Sequence, residues 1–250
     1  MITRACIFCG GRPVTAEHVL PQWMLQVLRR DDRGVPDKVP IIRRVSVRGE
    51  PTIISRFETN RLFTLQPKCV CASCNNGWMS EVESRAKPFL EPMVEGKRRV
   101  ELDAEAQNAI SSWACLKAMT GHYSHGSFGP IATDWRKYFF DTRQPPDSWF
   151  IWVSAYYGNY PARFDSHQVS LVDLPPALTD IAPTEQGILT SLVIGYLAVK
   201  VFGIRKGNPG GPGADTLLRI WPPSPLILRW PPRAVISDEV VEYFFRMGLG

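Results

Sequence analysis

Two Cys-x-x-Cys pairs stand far apart in this chain, Cys6/Cys9 and Cys71/Cys74, with 61 residues between them. Four thiolates in two such pairs are what a closed tetrahedral metal site takes, and zinc is the ion that suits them. Gly10 and Gly11 permit the tight turn that aims the first pair at one point. An ion held by both pairs would clamp together two strand-and-turn elements distant in sequence. Cys69 lies close by, but only Cys71 keeps the two-residue gap to Cys74. Cys115, alone in an apolar stretch, reads as a small buried hydrophobe. Five cysteines in the first 74 residues are an odd number, which argues against a disulfide framework and for a reducing compartment.

Composition narrows the class further. Hydrophobic residues at 44% and charged residues at 21% are ordinary for a globular chain and exclude global disorder. The net charge of +5 is uneven: residues 1–100 carry +7 and residues 101–250 carry −2. A basic first part suits a polyanionic partner. The longest apolar stretch, Ile188 to Ile204, is rich in Val and Ile and interrupted by Ser191, Gly195 and Lys200. It reads as a buried strand or pair of strands rather than a membrane span. No apolar run follows the first Met, so the expectation is a soluble, cytoplasmic protein with no membrane partner.

The periodicity gives an α+β chain in two parts. In residues 1–100, Thr15–Leu20 is extended, Gln22–Arg30 has helical spacing, and Val39–Thr59 alternates as a β-hairpin turning at Arg48–Pro51. A helix begins just after the second Cys pair. Residues 101–250 open with an amphipathic helix, Asp103–His122, followed by a short one at Thr133–Thr142. Strands are expected at Trp149–Tyr157, Gln168–Leu174, Ile188–Ile204, Leu217–Trp221 and Leu226–Trp230, forming an antiparallel sheet, with a closing helix at Ser237–Met247. Asp165 and His167 read as surface residues.

What flanks the cysteines carries the chemistry. Glu17-His18-Val19-Leu20-Pro21 follows the first pair, and Asn75 follows the last cysteine at a helix start. Over residues 4–90 this arrangement resembles the HNH (ββα-metal, or His-Me finger) endonucleases, in the subgroup with two zinc knuckles. The resemblance implies an N-terminal zinc-stabilised ββα-metal domain, expected over 1–100; nothing beyond about residue 90 is matched, and the α+β accessory domain expected over 101–250 rests on the periodicity alone. It implies His18 as general base, Glu17 and Asn75 as ligands of a catalytic Mg²⁺ or Mn²⁺, and Cys6, Cys9, Cys71 and Cys74 as ligands of structural Zn²⁺. The implied activity is phosphodiester hydrolysis in DNA. This sequence has Glu17 where the family more often has Asp, and the family's middle Asn has no clear counterpart; Asn60 is the best candidate. Asn76 or Glu83 is a candidate third ligand.

The physical chemistry agrees with those roles. Imidazole titrates near neutral pH, with an ordinary pKa of about 6.5, and so can take a proton from water. A hard divalent cation takes oxygen ligands, which Glu17 and Asn75 offer. Neighbouring residues of an ideal strand face opposite ways, so Glu17 and His18 converge only where the strand bulges, twists or ends. Asn75 has a plainer alternative as a helix cap, and His18 as a structural histidine. Arg43, Arg44, Arg48 and Arg56 lie on the hairpin, where they would track phosphates without reading bases. A dimer would suit double-strand cutting, although no interface is legible. His122 and His125 suit a helix end, and Gly207–Gly213 lacks the ending of a phosphate loop. The competing expectation is a zinc-stabilised module without catalysis that binds nucleic acid or protein.

Overall fold

The computed structural model describes residues 5–30, 39–47, 50–59, 65–96, 98–123, 131–170, 186–205 and 216–241, with the backbone alone described over 39–59, 167–170 and at 186. The first Cys pair is followed by strand β1, Val14–Ala16, and helix α1, Gln22–Leu28. The hairpin is β2, Val39–Val47, with β3, Glu50–Thr59. Strand β4, Lys68–Cys71, leads into a helical turn Ala72–Cys74, a π-helical segment Asn75–Met79 and helix α2, Ser80–Glu95. β1 and β4 pair antiparallel, with Val14 opposite Cys71 and an irregularity between Thr15 and Ala16. Two short strands and the helix that follows them thus form one unit around the cysteines.

Strand β5, Val100–Leu102, precedes helix α3, Ala104–His122, whose first turn is capped by the Asp103 carboxylate accepting from the Ala106 amide. Helix α4 is Thr133–Thr142. The remaining strands are β6, Trp149–Ala155; β7, Ala162–Ser170; β8, Gln186–Ile194; β9, Leu197–Gly203; β10, Leu218–Trp221; and β11, Leu228–Trp230. The apolar stretch from 188 to 204 is therefore two antiparallel strands, turning at Gly195-Tyr196. Residues 238–241 are helical; the rest of the expected closing helix lies outside the described residues.

Seven strands form one sheet in the order β10-β6-β9-β8-β7-β2-β3. Its pairings are antiparallel except where β2 meets β7 in parallel, at Val45 and Gln168. The hairpin from the first 100 residues thus forms an edge of the sheet built mainly from the later chain. β5 and β11 make a separate antiparallel pair. Among the described residues, buried apolar side chains form a large cluster running from Cys6 to Trp230 and a second, smaller one that includes Phe150, Trp152, Leu189 and Phe202.

Two expectations need correction. β7 starts at Ala162, six residues before the expected strand, because Ala-Arg-Phe-Asp-Ser reads as polar alternation. It is an interior strand between β8 and β2, and Arg163 and Asp165 are buried; Asp165 is not a surface residue. Helix α3 is not merely amphipathic: from Gln107 to His122 all but Asn108 are buried on every side. It packs against α2 and against β7, β9 and β10, and a helix covered all round is a core helix.

Candidate functional site

The four cysteines of the two pairs come together, with all four Sγ atoms within 4.8 Å of one another. The Cys9 Sγ lies 3.5 Å from those of Cys71 and Cys74. Zn–S bonds of about 2.3 Å in a tetrahedron put the sulfurs about 3.8 Å apart, so this spacing fits zinc. The local backbone explains the convergence. Gly10 adopts φ +73°, its amide donates to the Cys6 carbonyl, and the Gly11 amide points at the Cys9 sulfur from 3.3 Å. A β-carbon on Gly11 would stand 3.2 Å from Cys9 Sγ and 3.4 Å from Cys71 Sγ.

The thiols differ in their readiness to ionise. Burial opposes charge on Cys71, but the Ser73 hydroxyl and the Cys74 amide outweigh it and bring its pKa to about 6. Burial holds Cys74 well above the ordinary thiol value. Cys69 is fully buried on β4 and outside the four-sulfur cluster; burial, with the nearby Glu17 charge, pushes its thiol up to about 12.

The knuckles are seated by aromatic packing. Phe8 meets Trp78 edge-on at 5.0 Å, Trp78 meets Phe139 at 5.7 Å, and the Arg143 guanidinium lies 4.3 Å above the Trp78 ring. Arg136 of α4 donates to the Ile7 carbonyl inside the first knuckle. The later chain therefore braces the cysteine unit.

Beside this cluster lies a cavity of about 360 Å³ lined by Glu17, His18, Pro21, Gln22, Asn75, Asn76, Met79, Ser80 and Glu83. The three residues singled out in sequence, Glu17, His18 and Asn75, share its wall. Glu17 and His18 converge because β1 ends at Ala16, after the irregularity, and the chain then continues as a loose ladder. The Glu17 amide donates to the Pro67 carbonyl and the Val19 amide to that of Leu65. Val19 and Leu20 are fully buried and anchor the segment. His18 is half-buried at the cavity rather than folded into the core.

Asn75 does not cap a helix. It lies within the helical run at φ −61° and ψ −53°, and its amide nitrogen donates to the Ala16 carbonyl at 3.4 Å. Its oxygen is the atom left to offer a ligand. Glu83, one of the two candidate third ligands, reaches the cavity from α2, as does Asn76 from the π-helical segment.

Two residues that sequence reasoning missed complete the site. Gln66 lies on the ladder opposite His18, its side-chain amide nitrogen placed 2.5 Å from the His18 Nε2. Lys117, from the middle of α3, donates to Glu17 Oε1 at 2.9 Å and lies 3.3 Å from Glu83 Oε2. Its burial alone would lower its pKa, but the Glu17 and Glu83 charges reverse that and hold it above the ordinary lysine value. A local signal for Lys117 existed: it is the one charged residue between Glu105 and His122.

Several other candidates find no place here. Asn60, His125, Arg48 and the segment 207–213 lie outside the described residues, and of Arg43, Arg44 and Arg56 only the register is described. Arg56 pairs with Ile42 and Arg44 with Ile53, the register shifting between Arg43 and Arg44. His122 is buried near Ser166, its Nδ1 3.4 Å from the hydroxyl, and belongs to no metal-ligating group among the described residues. No helix of the described chain is long and apolar enough to cross a membrane. No protein-family model, no curated protein and no solved structure matches this chain.

Proposed function

We propose that this chain is a metal-dependent endonuclease of the HNH type, hydrolysing phosphodiester bonds in DNA. The observation that carries the reading is one shared cavity: Glu17 and His18 from the end of β1 and Asn75 from the start of the helical run line it together, beside a four-thiol cluster. His18 is the general base. With the Gln66 amide turned so that its oxygen accepts from Nε2–H, Nδ1 is the nitrogen left to take a proton from water. The water oxygen bonds to phosphorus, the bond from phosphorus to the leaving strand end breaks, and the proton resides on His18.

Glu17, Asn75 and Glu83 offer the oxygen donors that a hard divalent ion such as Mg²⁺ or Mn²⁺ takes, and that ion, when bound, supplies charge stabilisation at the phosphate oxygens. The zinc cluster holds the elements that carry these residues and takes no part in the chemistry. Arg43, Arg44, Arg48 and Arg56 on the hairpin contribute the sequence-independent attraction to the DNA backbone.

The test is cleavage of supercoiled plasmid by metal-stripped, zinc-reloaded protein. Nicking is expected with added Mg²⁺ or Mn²⁺ and not without. A folded, zinc-loaded chain that cuts nothing under any of these conditions would overturn the reading and favour a non-catalytic binding module.

A further inference from the structure

Lys117 lies where a metal-binding cavity would least be expected to hold a cation of its own. Its side chain is 3% exposed. Its Nζ lies 2.9 Å from Glu17 Oε1, 3.1 Å from the His18 backbone carbonyl and 3.3 Å from Glu83 Oε2. Two of the ammonium's three N–H donors go to Glu17 and the His18 carbonyl, and the third side of the charge faces the Glu83 carboxylate as an ion pair. Buried beneath these oxygens and outside the cavity lining, it does not reach a substrate, so Lys117 is a positioning residue and not a catalytic one.

Its electrostatic consequence is larger than its structural one. Glu17 and Glu83 both line the cavity, and their carboxylates are the strongest ligands it offers a divalent ion. Both already share a built-in monocation. That ammonium allows the two partly buried carboxylates to face one another in the ion-free protein, where unpaired charges would be costly. It also repels an incoming divalent ion at close range, in surroundings where screening by water is weak. Two carboxylates against one ammonium leave about one negative charge for the ion to meet. A nucleic-acid phosphate entering the cavity adds the missing negative charge.

We propose that Lys117 is the resident cation of this site and makes its divalent ion substrate-dependent: the ion binds weakly to the free protein and enters together with the phosphate. This rests on the proposed reading of the cavity as a divalent-ion site. It goes beyond that reading by assigning the chain after residue 100, through α3, control over when the site is loaded.

The experiment is Mn²⁺ binding followed by electron paramagnetic resonance on the full, zinc-loaded chain in the His18→Ala background, so that nothing is cut. Binding is measured with and without a short DNA duplex and counted above duplex alone. The duplex is expected to tighten Mn²⁺ binding about tenfold or more, a coupling that must be reciprocal. Lys117→Met is expected to bind Mn²⁺ about tenfold more tightly without DNA and to gain little from the duplex. Equal or weaker Mn²⁺ binding by Lys117→Met without DNA would overturn the proposal. If Lys117→Met does not fold by itself, added Mn²⁺ is expected to restore its cooperative thermal transition, and failure to do so would equally overturn it. A different result separates failure of the underlying reading: Mn²⁺ binding that Glu17→Gln and Asn75→Ala both leave unchanged would mean that the cavity is not the ion site at all.

Discussion

Lys117 and Glu17 stand 100 residues apart in the chain, yet the buried ammonium lies 2.9 Å from the nearly buried carboxylate, which itself lines the cavity. The contact joins the cysteine-bearing unit to the core helix of the later chain. The cavity is consequently not a property of residues 1–100 alone: the Glu17–His18 segment is held by the Lys117 ammonium of α3 as well as by the ladder to Leu65 and Pro67.

The cluster is expected to hold one zinc per chain. Cys9→Ser or Cys74→Ser should lose that zinc and destabilise the fold by several kcal/mol or more, since binding free energy at such a site is folding free energy. Cys69→Ser should keep it, because Cys69 is outside the cluster. Gly11→Ala should keep the fold but bind zinc more weakly, its new methyl crowding Cys9 and Cys71. Metal analysis with chelator titration reads all four.

Gln66 holds the ring of the proposed base without touching the phosphate. Gln66→Ala should therefore lower cleavage about 10- to 100-fold, the usual cost of removing a group that orients a functional histidine, and leave zinc content unchanged. Gln66→Glu should keep more activity and move the acidic limb of the pH–rate profile upward, since a carboxylate beside imidazole favours its protonated form. A profile identical to wild type in both variants would remove Gln66 from the account.

Lys200 supplies a prediction about stability and pH that is independent of catalysis. Burial in the sheet lowers its pKa to about 8, against 10.5 ordinarily. Between those values the unfolded chain holds more protons than the folded one, so stability rises with pH across that window. Lys200→Met should abolish this rise and gain stability most below about pH 8. Denaturant unfolding at several pH values from neutral to alkaline measures both curves.

The hairpin turn between β8 and β9 docks on the end of α2. The Tyr196 amide donates to the Val94 carbonyl, and Gly195 adopts φ +55° with that same oxygen 2.2 Å from where a β-carbon would stand. Gly195→Ala combines an unfavourable backbone conformation with a clash against backbone, and should cost about 2 kcal/mol or more. Thermal unfolding checks it.

The parts of this structure that were legible in sequence are those set by local chemistry. The thiol spacing, the bounds of α4 and the strand character of the stretch from 188 to 204 depend on neighbours in the chain, and they appear as expected. Lys117 and Gln66 depend on distant partners. Lys117 matters only because α3 is covered on all sides, which its own pattern does not reveal. Gln66 faces His18 only because the β1–β4 ladder continues past its last regular pair to Val19 and Leu65. β7 was displaced for the same reason: an arginine and an aspartate inside a sheet look like surface until the strands on either side are in place.

Chemical rescue of the proposed base tests the catalytic role of His18 directly. His18→Ala should lose about 10²- to 10⁴-fold in Mg²⁺- or Mn²⁺-dependent DNA cleavage, with zinc content and fold retained. Added imidazole should restore part of that activity, and should do nothing for Glu17→Gln. A His18→Ala protein that cuts DNA at the wild-type rate would contradict the assignment of His18 and, with it, the account of this cavity.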